Sequence, residues 1–194
     1  MPPRSLTQYE IPIVQLINDL GSAHKYEYAA FLKSADGPLI ELRTDMRDDG
    51  ADPSIVVRRK ARQGVKIVVH HNHLSQESLS SADWNGLNKI FHEMFAHCDD
   101  GTMYCGRVLN REKVRKVLDN YEKHEIDANN YLFNRIINRP CSSKESMFFR
   151  KEVVNRAMRN QGFVEYNFSW GSHHIGASLN NYLEDAAKQL APGL

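Results

Sequence analysis

Apolar side chains at Leu6, Tyr9, Ile13, Leu16, Ile17 and Leu20 recur at helical spacing, which predicts an amphipathic helix over residues 6–20. Pro12 lies near its first turns, and Gly21 is expected to end it. Two short apolar runs, Tyr26 to Leu32 and Leu39 to Leu42, flank Asp36-Gly37-Pro38 and read as a hairpin. Residues 44–53 are acidic and contain Gly50 and Pro53, the texture of a loop. Ser54 to Gly64 reads as a basic helix with Pro53 near its start and Gly64 at its end. Val65 to Val69 is a β-branched run, predicted to be a buried strand. Over residues 81–97, Trp84, Leu87, Ile90, Phe91, Met94 and Phe95 fall on one helical face, with His92 and His97 at its flanks. Gly101 to Leu109 reads as a strand. Helix and strand alternate through the first 110 residues, the pattern of an α/β layered fold.

The texture changes after Asn110. Residues 111–137 read as helix, and Arg139-Pro140 breaks it. Ser142-Ser143-Lys144-Glu145 is a capping-box start for a helix running to about Asn160, which Gln161-Gly162 closes. Phe163 to Phe168 alternates like a strand, and residues 178–190 look helical. The expected division is a core over residues 1–110 and a mainly helical extension over 111–194, packed on or beside it.

The composition, 41% hydrophobic and 25% charged over 194 residues, suits one globular domain with an appendage. A formal charge of +1 argues against a strongly basic nucleic-acid binder. Residues 111–160 nevertheless carry 12 Lys/Arg against 7 Asp/Glu. That excess reads first as a solvated helical face, and it keeps nucleic acid open as a less favoured partner. Cys98, Cys105 and Cys141 form no CxxC pair, so neither a disulfide framework nor a zinc finger is expected, and a reducing compartment fits best. The start MPPRSLTQYEIPIVQLIN lacks an apolar h-region, and no long apolar run follows. A cytoplasmic location without membrane association is the expectation. Export that needs no signal would leave no mark in such a sequence.

Chemistry concentrates at His70-His71-Asn72-His73. In an extended chain residues two apart point to one side, so His71 and His73 can converge on a point while His70 faces away, packed or in solvent. Asp83 follows ten residues later, near a predicted helix start. Two imidazoles and a carboxylate are the three-ligand set that catalytic zinc uses, with a fourth position left for water. Such a site also needs a general base within hydrogen-bond reach.

The full string His71-x-His73-x6-Ser80-x2-Asp83, with Glu27 upstream, resembles the JAMM (MPN-plus, JAB) metalloprotease family. The closest texture is its RadC-like branch, where a glutamate-bearing strand, a hairpin, a helix and an apolar strand lead into an HNH tripeptide and then SxxD. Here these are EYAAFLKSADGPLIEL, VVRRKARQGVKIVV and HNHLSQESLSSADW, and the likeness covers about residues 24–109. The resemblance implies a mixed curved sheet between helices, zinc held by His71, His73 and Asp83, and hydrolysis of a peptide or isopeptide bond. It implies that Glu27 moves the proton of the attacking water and that Ser80 helps hold the oxyanion. The implied substrate is a protein or peptide, in relatives often the tail of a ubiquitin-like protein. The alternative it implies is a RadC-like accessory protein, with a regulatory or binding role and no protease activity. Leu74 stands where the family has proline, and the loop to Ser80 is one residue shorter than its commonest spacing, which reads as loop remodelling. Glu41, on the second hairpin strand, is the rival for the base.

Other candidates are weaker. His92 and His97 are five residues apart, about 140° around a regular helix, so a zincin pairing is not expected. Pro140-Cys141 lacks the HxE and second cysteine of a nucleobase deaminase. His173-His174, between Gly171 and Gly176, is expected at the surface, and no nucleotide-binding glycine motif occurs.

Overall fold

The computed structural model describes residues 2–133, 141–172 and 174–194. The predicted break at Arg139-Pro140, the end of the 111–137 helix beyond Phe133, and His173 lie outside the described residues. A six-stranded mixed sheet forms the centre. Its strands are β1 (Ala29–Lys33), β2 (Leu39–Arg43), β3 (Ile67–Asn72), β4 (Glu93–His97), β5 (Met103–Val108) and β6 (Val164–Ser169), in the order β2-β1-β3-β4-β5-β6. β3 and β4 are parallel, and every other neighbouring pair is antiparallel.

The sheet is covered on both faces. Helix α1 (Glu10–His24) packs on one side, where Ile17 meets Tyr28, Ala30 and Leu32. The other side carries α2 (Ile55–Arg62), α3 (Ser81–Lys89), α4 (Arg111–Asp119), α5 (Tyr121–Phe133), α6 (Ser143–Asn160) and α7 (Gly176–Leu190). One apolar core runs from Ala29, Phe31 and Val69 through Trp84 and Leu87 to Phe149, Val153 and Leu183. It draws on both halves of the chain, and β6 pairs along the whole of β5.

The expected continuous helix over 81–97 is not present. The segment splits into α3 and β4, joined by a turn at Ile90 to His92. All five residues of β4 are buried, because it lies inside the sheet with both faces covered. Such a strand shows no two-residue alternation, so its apolar run matched a helical template. Two smaller differences have similar causes. α1 runs through Gly21 to His24, and a Cβ at Gly21 would lie 2.3 Å from Asn72 Nδ2, so glycine serves close packing against β3 there. The helix read over 111–137 is interrupted at Asn120, which caps the end of α4 before α5 begins.

Candidate metal centre

β3 continues past its apolar run to carry His70, His71 and Asn72, and its end lies where the parallel pair β3 and β4 opens. Ligands in open α/β sheets gather at the carboxyl ends of parallel strands. His71 projects from one face of β3. His73 follows in the turn, its backbone N–H donating to the His97 carbonyl at 2.8 Å. Asp83 is the third residue of α3, whose N-terminus is closed by a capping box. Ser80 Oγ accepts from the Asp83 N–H at 3.2 Å, and the Ser80 N–H donates to Asp83 Oδ2 at 2.7 Å.

These three side chains converge. His71 Nε2 and His73 Nε2 are 2.8 Å apart, His71 Nε2 and Asp83 Oδ1 3.4 Å, and His73 Nε2 and Asp83 Oδ2 3.7 Å. Zinc bonds of about 2.0–2.2 Å in a tetrahedral site put adjacent donors about 3.4 Å apart, so this spacing suits one small cation. The outer contacts agree. His73 Nδ1 donates to the Glu77 carbonyl at 2.8 Å, and the His71 ring is hydrogen-bonded to the Phe95 backbone. Both Nε2 atoms face the centre, and His73 has the arrangement in which a metal-binding histidine is held by a carbonyl behind it. Among the described residues this is the one His/Cys/Asp/Glu group with such convergence.

Without a cation the three groups share a proton. Burial pulls His71 down to about 4, and the Asp83 charge recovers only part of that loss. Burial also opposes charge on His73, but the hydrogen bond and charge of Asp83, with help from Glu27, win and hold it at about 9. Burial opposes ionisation of Asp83 as well, and the two imidazoles outweigh it to keep the carboxyl well below its ordinary value.

Glu27 lies just before β1, its N–H held by the Arg47 carbonyl at 2.8 Å. Its side chain is buried, and burial raises its pKa to about 7; the charges of His73 and Asp83 act on it in opposite directions. It is thus brought into the electrostatic neighbourhood of the centre with a pKa suited to a general base at neutral pH. Glu41, the rival, sits on edge strand β2 opposite Phe31 with a buried Oε2 that has no hydrogen-bond partner among the described residues. The Ser80 hydroxyl donates to Asp83 Oδ2 at 2.7 Å, so it orients a candidate ligand directly.

Several contributors had no motif to announce them. Asn155 on α6 takes a hydrogen bond from Trp84 Nε1 at 2.7 Å and gives two, to Ser78 Oγ and the Leu79 carbonyl, both at 2.8 Å. Ser78 also meets Tyr166 Oη at 2.6 Å, and Tyr166 bonds to Glu152. This buried lattice grips the loop that delivers Ser80 and Asp83. Asn72 braces the other side, accepting from the Tyr28 N–H at 2.7 Å and donating to the Tyr26 carbonyl at 3.2 Å, on either flank of Glu27. A buried Asn reads like any polar residue in sequence. Only its placement next to unsatisfied backbone reveals the task.

The remaining histidines also resolve. His70 is fully buried and bonds to Glu10 Oε1 and His97 Nε2, both at 3.0 Å, and His97 is the last residue of strand β4 rather than a helix flank. His174, expected at the surface, is buried and stacks on Trp170 at 4.6 Å. Beside it Phe148, Phe149 and Ile175 line an apolar cavity of about 460 Å³ whose rim includes Gln76 and Asp100, from the loops that follow His73 and β4. All three cysteines are free and buried, and burial raises their thiol pKa values. No described helix is long and apolar enough to cross a membrane.

No protein-family model matches this chain, and no curated protein or solved structure is significantly similar to it.

Proposed function

We propose that the protein is a zinc-dependent hydrolase of the JAMM type, in its RadC-like branch, cleaving a peptide or isopeptide bond. The observation that carries this reading is the convergence of His71 Nε2, His73 Nε2 and an Asp83 carboxylate oxygen, all within 4.8 Å of one another. The order of elements supports it too: glutamate, hairpin, helix, apolar strand, HNH and SxxD follow one another as the family resemblance implies. Zinc held by these residues supplies Lewis-acid chemistry, polarising a carbonyl and making water acidic enough to attack near neutral pH. Glu27 accepts the proton of that water and returns it to the leaving amine. His73 is kept in the productive tautomer by the Glu77 carbonyl, and Asp83 is held by Ser80. In this reading the Ser80 hydroxyl, which donates to Asp83 Oδ2, turns away from that carboxylate to donate to a developing oxyanion once substrate is present. The apolar cavity beside Phe148 and Phe149 is the candidate cleft for a protein or peptide substrate, the tail of a ubiquitin-like protein included.

The accessory reading, with nucleic acid bound through the basic stretch 111–160, gains less support. Five of those cations (Lys116, Arg150, Lys151, Arg156 and Arg159) are already paired with carboxylates.

The test is zinc content together with cleavage of ubiquitin-like fusions and isopeptide-linked conjugates. Wild type is expected to hold one zinc and turn over. Glu27→Gln is expected to keep the zinc and lose turnover, and His71→Ala/His73→Ala to lose both. Well-folded wild-type protein without stoichiometric zinc would overturn the proposal.

A further inference from the structure

A second concave site lies at the opposite end of the parallel strand pair. α2 and α3 both end there, at the turns that lead into β3 and β4, and the start of α4 closes the third side. The cavity, about 270 Å³, has an apolar floor that includes Val65, Leu87 and Phe91. Its rim is cationic: Arg62, Lys66, Lys89 and Arg111, with His92 between them and no carboxylate among the lining residues. None of the four cations is ion-paired among the described residues. Arg111 is steadied by the Asn88 carbonyl, and Arg58 stands one helical turn before Arg62. From Pro53 to Gln76 the chain carries five Lys/Arg and no acidic residue.

The carboxylates whose charge reaches His92, Glu93 and Glu165, are already engaged. Glu93 is held by Arg4 at 2.6 Å and by Arg107 at 3.2 Å, and Arg107 also reaches Glu165 at 3.6 Å. The positive field is felt locally: burial first, then Arg107 and Lys66, disfavour protonation of His92. Four like charges converging on one hollow repel one another, an arrangement that an anion relieves. The α4 N-terminus adds its partial positive charge to the same side.

We infer that this cavity binds a phosphoryl group, with Arg62, Lys66, Lys89 and Arg111 around the oxygens and the first carbons of the ester laid on the apolar floor. Arginine and lysine together suit a phosphate, one through its planar fork and the other as a point charge. The volume fits a phosphate with its immediate ester and is below the usual range for drug-sized ligands. This site is separate from the metal centre and does not rest on its chemistry.

The full-length protein is titrated with inorganic phosphate, pyrophosphate, a mononucleotide and a single-stranded oligonucleotide, at low and high salt. The readout is the His92 ring signal in NMR spectra, assigned with His92→Gln, alongside calorimetry. Phosphate or its esters are expected to move the His92 signal saturably. Lys66→Glu and Lys89→Glu are each expected to weaken binding about tenfold, the scale of one charge-assisted contact. Both residues are exposed, so these variants are expected to fold, which circular dichroism checks. Lys188→Glu, the same charge change on α7, is expected to leave affinity unchanged. A mononucleotide binding as tightly as the oligonucleotide marks a small phosphorylated ligand, whereas tighter oligonucleotide binding with a steep salt dependence marks a nucleic-acid backbone. Either result supports the phosphoryl site. No movement of His92 at millimolar phosphoryl ligand overturns it, as does an equal loss of affinity in Lys188→Glu.

Discussion

Glu27 concentrates the tension between stability and chemistry in one side chain. Its carboxyl has an ordinary pKa of 4.5 and is raised by burial to about 7. A raised folded-state value means that the metal-free fold has its full stability below about pH 4.5. It then loses up to about 3 kcal/mol as pH rises through 7. Glu27→Gln cannot ionise and escapes that loss. In chelator, its advantage over wild type is expected to grow from near zero at pH 4.5 to about 3 kcal/mol at about pH 8, measured by urea denaturation. An advantage that stays flat with pH would show that Glu27 is not buried as described. With zinc present, the same substitution is expected to lower kcat by at least about 10²-fold while leaving metal content unchanged.

His73 gives the complementary sign. Its pKa is raised from 6.5 to about 9 by Asp83 despite burial, so its contribution to the metal-free fold is complete below pH 6.5 and fades as pH passes 9. A ligating imidazole must give up that proton. Zinc binding at neutral pH is therefore expected to release about one proton, seen in calorimetry as an enthalpy that varies with the ionisation heat of the buffer. Binding without proton release would mean that His73 is not a ligand.

At the level of elements, the centre depends on how tightly β3 is clasped. Gly21 lets α1 approach Asn72, and Asn72 in turn holds the backbone on both sides of Glu27. Gly21→Ala is expected to push Asn72 aside and cost about 1–3 kcal/mol of stability, with reduced kcat and little change in zinc content. The start of α3 works similarly. Ser80→Ala removes both halves of the bond between Ser80 Oγ and Asp83, so a loss of about 1 kcal/mol is expected, with weaker metal binding read by competition with a chromogenic chelator. Both glycine and serine were visible in the sequence. Their motif value differed, because SxxD is a local arrangement within one helical turn, whereas the partner of Gly21 lies 51 residues away.

For the molecule as a whole, the C-terminal half closes the core and steadies the site. Asn155, Tyr166 and Glu152 hold the loop before α3, and Trp84 is anchored by Asn155. Asn155→Ala would leave the Trp84 indole N–H and the Leu79 carbonyl buried without partners, which costs about 1–3 kcal/mol for each unsatisfied group. The expected outcome is a drop of several degrees in melting temperature together with weaker zinc binding, although Asn155 is no candidate ligand. Wild-type zinc affinity in this variant would show that the lattice serves stability alone.

Local rules were enough for part of this. Hairpin turns, capping boxes and the two-residue period that brings His71 and His73 to one side depend on neighbours along the chain. The α/β pattern and all three candidate ligands are therefore legible in the order of residues alone. Long-range packing decided the rest. β4 is a strand because β3 and β5 pair with both of its edges, His97 is a strand residue for that reason, and His174 is buried by an aromatic cluster drawn from α6 and the segment after β6. Only the fold brings Glu27 within electrostatic reach of His73, grips the Ser80 loop from α6, and gathers four cations, without ion pairs among the described residues, around a hollow at the far end of the same two strands. Such contacts join residues tens of positions apart, where no sequence period operates.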